Sequence, residues 1–238
     1  MPNKVPEKIK LEIEKISKNT SKDIYVYYGS LDSAKAEINK EDALFIEHKN
    51  KSYSATNKEA LLFLHTSGGF LEPAITMIDH LRRFYNGKVS IVVLEKAYSA
   101  GTFLALSADK LYISNKAGFS DFNPVDGIRN KTPEEFKTFI SQFSDTVFKY
   151  IGDGILAYRS PDEAWSIVNN ISPFLGRLDH NKLSAQDIID QIDEVKLVDQ
   201  IPNTTEEGLE GFHHLILDEM KTLSLSKLLI IDGQALKD

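Results

Sequence analysis

The sequence predicts an α/β fold built on a largely parallel sheet, and three observations carry that expectation. Short apolar, β-branched runs alternate with segments of helical periodicity through the middle of the chain. The order strand, helix, strand, helix, strand requires crossover connections, and crossovers make neighbouring strands parallel. No low-complexity linker or internal repeat divides the 238 residues, so a single domain spanning 1–238 is expected.

The central elements are the clearest. Ala60 to Leu64 is an apolar run that reads as a buried strand; after His65 it meets Thr66-Ser67-Gly68-Gly69, a tight turn. Pro73 to Tyr85 places Ile75, Met77, Ile78 and Leu81 at helical spacing, with Gly87 just past the last turn. Val89 to Leu94 is a second strand, Tyr98 to Ala108 a helix of small residues, and Lys110 to Ser114 a third strand. Residues 58–130 thus form the expected core.

The flanks are less regular. Pro6 to Lys18 carries Ile9, Leu11, Ile13 and Ile16 among lysines and glutamates, the pattern of an amphipathic helix or an arm that docks on a partner subunit. Ile24 to Tyr28 reads as a strand, whereas Lys35 to Thr56 has no clear period. Gly118 to Lys131 is an irregular loop. Thr132-Pro133-Glu134-Glu135 and Ser160-Pro161-Asp162-Glu163 are helix starts: a capping hydroxyl, a proline in the first turn and acids on the positive helix end. Residues 132–238 are expected to be mostly helical, with Glu207 to Met220 the longest segment and Lys227 to Ile231 a final strand.

Composition narrows the function. A formal charge of −7 and a pI near 5.4 argue against nucleic acid as a general partner, which would need a basic face to displace counterions. The absence of cysteine excludes a thiol nucleophile and thiolate metal sites. Met1 to Lys18 has no apolar core of a secretory leader, and no run approaches the roughly 20 apolar residues of a membrane helix, so a cytoplasmic protein is expected. The sequence leaves a membrane or ATPase partner undecided.

Two turns carry the candidate chemistry. Thr66-Ser67-Gly68-Gly69 and Ala97-Tyr98-Ser99-Ala100-Gly101-Thr102 each follow a strand, at the edge of a parallel sheet where ligands gather. The first offers glycine amides, the second a hydroxyl at a helix start. That combination suits acyl transfer: Ser99 would attack a carbonyl, and the amides of Gly68 or Gly69 and of Ala100 would meet the oxygen that becomes negative. Each turn alone is a common structural feature; their order and spacing give the pair its meaning.

The stretch Leu62-Phe63-Leu64-His65-Thr66-Ser67-Gly68-Gly69, followed by Ile91-Val92-Val93, by Tyr98-Ser99-Ala100-Gly101-Thr102 and by Leu104 to Leu111, resembles the serine dehydrogenase proteinase family. That family belongs to the Clp-protease-like superfamily, with the signal peptide peptidases and the stomatin-associated serine peptidases. Asn123-Pro124-Val125-Asp126-Gly127 falls where the family has a Gly-Pro-(Ile/Val)-Asp-Pro motif. The resemblance covers about residues 58–130. It implies the Clp-protease/crotonase-like fold of stacked ββα units, a serine peptidase with Ser99 as nucleophile, an oxyanion hole from Gly68 and Ala100, a peptide or protein substrate, a homo-oligomer and no cofactor.

The departures concern the general base. Clp proteases carry a histidine in the loop after the third strand, where this chain has Phe122, and none of the six histidines lies between Ser99 and Gly127. Signal peptide and stomatin-associated peptidases use a lysine instead. Lys131 resembles the stomatin-associated position, and Lys137 and Lys149 follow it; each serves as base only if desolvation frees its amine. Asn123 replaces the family glycine. His65 beside the glycine turn could touch substrate or simply pack; Asp126 could orient a base or cap a turn. His180 and the pair His213-His214 lack metal-ligand spacing, so no metal is expected. Two other functions stay open: a non-catalytic relative used for binding or assembly, and a crotonase-type acyl-CoA enzyme, which usually needs no serine at the Ser99 place.

Overall fold

The computed structural model describes residues 3–52, 55–122, 131–172, 182–231 and 234–237. The core is an eight-stranded sheet. Its parallel half consists of β2 (Asp23–Gly29), β3 (Ala60–His65), β4 (Val89–Val93), β6 (Lys110–Ile113) and β9 (Lys196–Leu197), side by side in that order. Beyond β2 the sheet turns antiparallel, through β10 (Lys227–Ile231), β11 (Gln234–Lys237) and β1 (Asn3–Lys4). A second sheet of three short strands, β5 (Lys96–Ala97), β7 (Gly118–Ser120) and β8 (Lys182–Ser184), stands beside the end of the first.

The parallel strands are buried on both faces, which is why they read as continuous apolar runs rather than alternating ones. Their alternate residues feed two cores. Leu62, Leu64, Ile91 and Val93 face α2 (Lys40–Ser52), α3 (Leu71–Phe84), α4 (Ala100–Leu106), α5 (Pro133–Gly152), α6 (Pro161–Ile171) and α7 (Ala185–Ile189). Leu61, Phe63 and Val92 face α1 (Glu7–Thr20) and α8 (Glu206–Thr222), with Phe63 and Phe212 edge to face at 5.0 Å. α1 packs on its own chain, with Ile9 and Ile16 buried against the sheet, and Leu11 of the same helix is exposed.

Helix starts follow the expected chemistry. Thr132 and Ser160 each cap through a reciprocal box, with Glu135 and Glu163 closing the second bond. α2 was not evident from periodicity because Asp42 and Asn50 share its buried side with Ala43 and Ile46, while Leu44 is exposed.

One buried ion pair ties the antiparallel edge to the helical layer. Lys227 on β10 reaches both Asp42 oxygens at 3.0 and 3.1 Å and donates to the Glu37 carbonyl at 2.8 Å. Asp42 also accepts from the Tyr27 hydroxyl at 3.0 Å and the Asn39 amide at 2.9 Å. Both side chains are almost fully excluded from water. A buried pair is costly to break on one side, because the remaining charge is left without water or partner. Asp42→Asn is therefore expected to lower unfolding stability by about 3–5 kcal/mol, measured by urea denaturation; a loss under about 1 kcal/mol would show the clasp to be dispensable.

Candidate functional site

The end of β3 and the start of β5 meet as a single bridge. The Thr66 amide donates to the Lys96 carbonyl at 3.0 Å, and the Tyr98 amide returns to the Thr66 carbonyl at 3.1 Å. This bridge brings the glycine turn and the serine turn into contact. The amide of Gly101 closes on the Tyr98 carbonyl at 2.8 Å, so Tyr98 to Gly101 is a β-turn with Ser99 at its second position. Ser99 has φ 49° and ψ −119°, the mirror-image conformation of a type II′ turn, in which glycine is the usual occupant. Holding a serine there costs about 1–3 kcal/mol, and such strain gathers at functional sites.

Ser99 does not behave as an ordinary helix cap. Its carbonyl accepts from Phe103 at the start of α4, but its hydroxyl makes no capping bond and no side-chain hydrogen bond among the described residues. Its amide donates to the buried Ser120 hydroxyl at 2.8 Å. The hydroxyl is thus left facing the glycine turn.

Gly68, at φ +113°, is in contact there. A Cβ on Gly68 would lie 2.7 Å from the Ser99 Cβ and 3.4 Å from its hydroxyl oxygen, so no other residue fits. The Gly68 amide is already spent, since it donates to the Thr66 side-chain oxygen at 3.0 Å. Gly68 serves here as the spacer that lets the turns touch. Its carbonyl accepts from Ile38, and Phe70 donates to the Ile38 carbonyl, leaving the Gly69 amide without an acceptor among the described residues. Ala100 opens α4, so its amide has no intrahelical acceptor either.

The other candidates lie apart. His65 projects to the opposite sheet face, in line with Leu61 and Phe63, and stacks on Tyr28 at 5.4 Å. Lys131, Lys137 and Lys149 are all exposed; the Lys131 amine lies 4.9 Å over the Phe139 ring and the Lys149 amine 5.6 Å over Tyr150. Phe122 is buried against Phe103 and donates its amide to the Ser172 hydroxyl at 3.1 Å. Asp126 and His180 fall outside the described residues. No group of three metal-ligating side chains is arranged to hold an ion among the described residues.

Three polar residues of the site were missing from the sequence reading or lacked a role in it. Ser120 gave no signal, because its contact with Ser99 depends on β7 lying against β5. Thr66 and Thr102 stood inside the two motifs, but only the folded chain shows that their side chains lock the turns: Thr102 donates to the Ala97 carbonyl at 2.6 Å.

Behind the bridge, two histidines share one carboxylate. His213 and His65 place their Nε2 atoms 3.3 and 3.4 Å from the same Glu95 oxygen, while the other Glu95 oxygen pairs with Lys96 at 3.0 Å. Neutral His213 is fully matched, with Nε2–H toward Glu95 and Nδ1 accepting from Tyr28 at 2.8 Å. His65 is not. Its Nδ1 faces the Gly29 carbonyl at 3.2 Å and its Nε2 faces a carboxylate, so either neutral tautomer leaves two acceptors opposed. Burial pushes the His65 pKa down and the His213 pKa down to about 4. Burial pushes Glu95 up, but its bonds to Lys96 and the histidines outweigh this and hold it low.

No family model and no curated protein matches the sequence. Among solved structures, a mutant of ClpP1 from Listeria monocytogenes has the same fold, with a TM-score of 0.52 and 18% sequence identity. The match covers 78% of this chain and 95% of that one. The chain therefore has the Clp-protease type of α/β fold, as the sequence motifs implied.

Two measurements follow. Glycine relieves the Ser99 backbone strain and alanine does not, so Ser99→Gly is expected to be more stable than Ser99→Ala by about 1 kcal/mol, or ~2–4 °C in Tm; equal melting would show the turn to be unstrained. The histidine pair sets a pH dependence. With its folded pKa near 4 against 6.5, His213 contributes stability that is complete above about pH 6.5 and lost as pH falls toward 4, because the unfolded chain binds protons that the folded one refuses. The unfolding free energy from urea titrations should fall over that window by of order 2–3 kcal/mol, and His213→Gln should flatten the decline. An unchanged slope in the variant would remove His213 from the linkage.

Proposed function

We propose that the chain is a serine peptidase of the Clp-protease-like superfamily, finer in kind than the fold alone specifies, with Ser99 as nucleophile. The observation that carries this reading is the strained, uncapped Ser99 hydroxyl held against a glycine turn. In the reaction, Ser99 Oγ bonds to the carbonyl carbon of a peptide while its proton passes to a base. The amides of Gly69 and Ala100 donate to the oxyanion, the C–N bond breaks, and the amine departs with the proton. Water then releases the acyl group. Gly68 keeps the space open between the turns.

The base in this reading is Lys131. Its amine is exposed in the single chain, so the reading requires a bound peptide or a neighbouring copy to desolvate it, as in a homo-oligomer. Asp126 remains its proposed supporting carboxylate, and His65, on the other sheet face, is left to structure. The resemblance to the serine dehydrogenase proteinase family supports the same assignment.

Fluorophosphonate labelling followed by intact-mass measurement tests it. The wild type is expected to gain one adduct, Ser99→Ala none, and Lys131→Ala to react at least tenfold more slowly. Labelling that requires Ser99 but ignores Lys131 moves the base elsewhere. No adduct on the assembled wild type favours a non-catalytic relative, the reading to which the unpartnered Ser99 hydroxyl and buried Phe122 would then belong.

A further inference from the structure

Beneath the serine turn, a closed relay of two hydroxyls fixes the Ser99 backbone. Thr102 gives its proton to the Ala97 carbonyl at 2.6 Å and accepts from the Ser120 amide at 3.1 Å. Ser120 gives its proton to the Asp121 carbonyl at 3.0 Å, which leaves its lone pair for the Ser99 amide at 2.8 Å. Each hydroxyl has one proton and one direction for it, so neither can rotate without losing a bond. Both side chains are buried, Thr102 completely and Ser120 to within 4%. The relay joins β5, α4 and β7, which between them enclose the turn.

Its target is the backbone that places the Ser99 Cβ, from which the hydroxyl projects. Among the described residues the Ser99 amide has no backbone acceptor, and its partner is the Ser120 hydroxyl. Rotation about the Ser99 N–Cα bond swings the hydroxyl relative to Gly68. The acceptor on β7 fixes the peptide plane before the Ser99 Cα, and the Phe103 amide, donating to the Ser99 carbonyl at 3.2 Å, fixes the plane after it; with both planes held, the rotation and the position of Cβ are set.

We propose that Ser120 is a positioning residue for the Ser99 nucleophile, with Thr102 holding Ser120 in place. The inference rests on the peptidase reading. A nucleophile displaced by a fraction of an ångström loses rate rather than affinity. A hydroxyl that merely satisfied a buried amide would change stability and leave rate alone.

The test measures fluorophosphonate inactivation of the full chain at several reagent concentrations, separating reversible binding from bond formation, well below the melting temperature. Ser120→Ala is expected to slow bond formation at least tenfold while changing reversible binding by less than about twofold. Thr102→Val, nearly isosteric but without the hydroxyl, should do the same, and Thr102→Ser should restore the wild-type rate. Hydrogen exchange at the Ser99 amide, followed by NMR, reports the tether without any chemistry: protection present in wild type should be lost in Ser120→Ala. Wild-type bond formation with unchanged Ser99 protection in Ser120→Ala overturns the inference. Absence of labelling in the wild type would strike the nucleophile reading instead, leaving amide protection to decide the tether. If Thr102→Val does not fold, Ser120→Ala and Thr102→Ser decide it.

Discussion

The site depends on one close approach, that of Gly68 to Ser99. The two turns come from different strands, and they meet only because the Thr66–Ala97 bridge pulls the end of β3 onto β5. At that distance neither turn has room to spare. A side chain on Gly68 would collide with Ser99, and one on Gly101 would come within 2.4 Å of a Thr66 methyl. The small residues in both motifs are therefore steric requirements of a contact between segments 30 residues apart, before any chemistry is invoked. The backbone strain at Ser99 is one consequence, since the chain must reverse within a single turn before α4 begins. The doubly buried parallel strands, packed on both faces, are what can hold it.

The same strand ends serve two environments. On one face lie Ser99, the free amides and small residues; on the other lie His65, Glu95, His213 and Tyr28 in a buried polar knot. The knot and the turns are linked through very short stretches of backbone, His65 to Gly68 and Glu95 to Ser99. It anchors α8 to the sheet where β3 and β4 end, so the packing of α8 and the placement of both turns share one support. His65 is its weak point, because its two neutral tautomers each leave opposed acceptors while burial opposes the charged form. The knot is held by tight packing of its rings, with His65 and His213 5.5 Å apart, more than by a complete hydrogen-bond set.

Much of this architecture was legible in the sequence because its signals are local. The apolar runs of β3 and β4, the capping boxes at Thr132 and Ser160, and the small-residue turn at Ser99 each announce themselves within a few residues. What stayed hidden depends on partners far along the chain. Lys227 begins a strand in either reading, yet only the pairing of β10 with β2 shows it to be a buried cation matched to Asp42. The Gly68 amide reads as free in the sequence, and only the folded chain shows it donating to the Thr66 side chain, with the Gly69 amide left without an acceptor among the described residues. Ser120 was silent for the same reason: a serine in a short strand means nothing until the strand's neighbour is known. The sequence also implied a Clp-type fold, and the solved structure it superposes on supports that; at the place where the resemblance sets a histidine, Phe122 is buried against Phe103.

A turn that merely connected β5 to α4 would have been easier to build with glycine at position 99. Glycine adopts this backbone without strain and caps a helix nearly as well as serine. The chain uses glycine at 68, 69 and 101, all within reach of the same contact, and places a serine at the one position where the backbone disfavours it. The serine hydroxyl does not repay that cost by capping α4 or by bonding another side chain among the described residues. Its amide is secured by a buried relay while its hydroxyl is left open beside two unspent amides. Local stability opposes that choice, and the proposed peptidase reading accounts for it: in that proposal a substrate carbonyl sits between Ser99, Gly69 and Ala100.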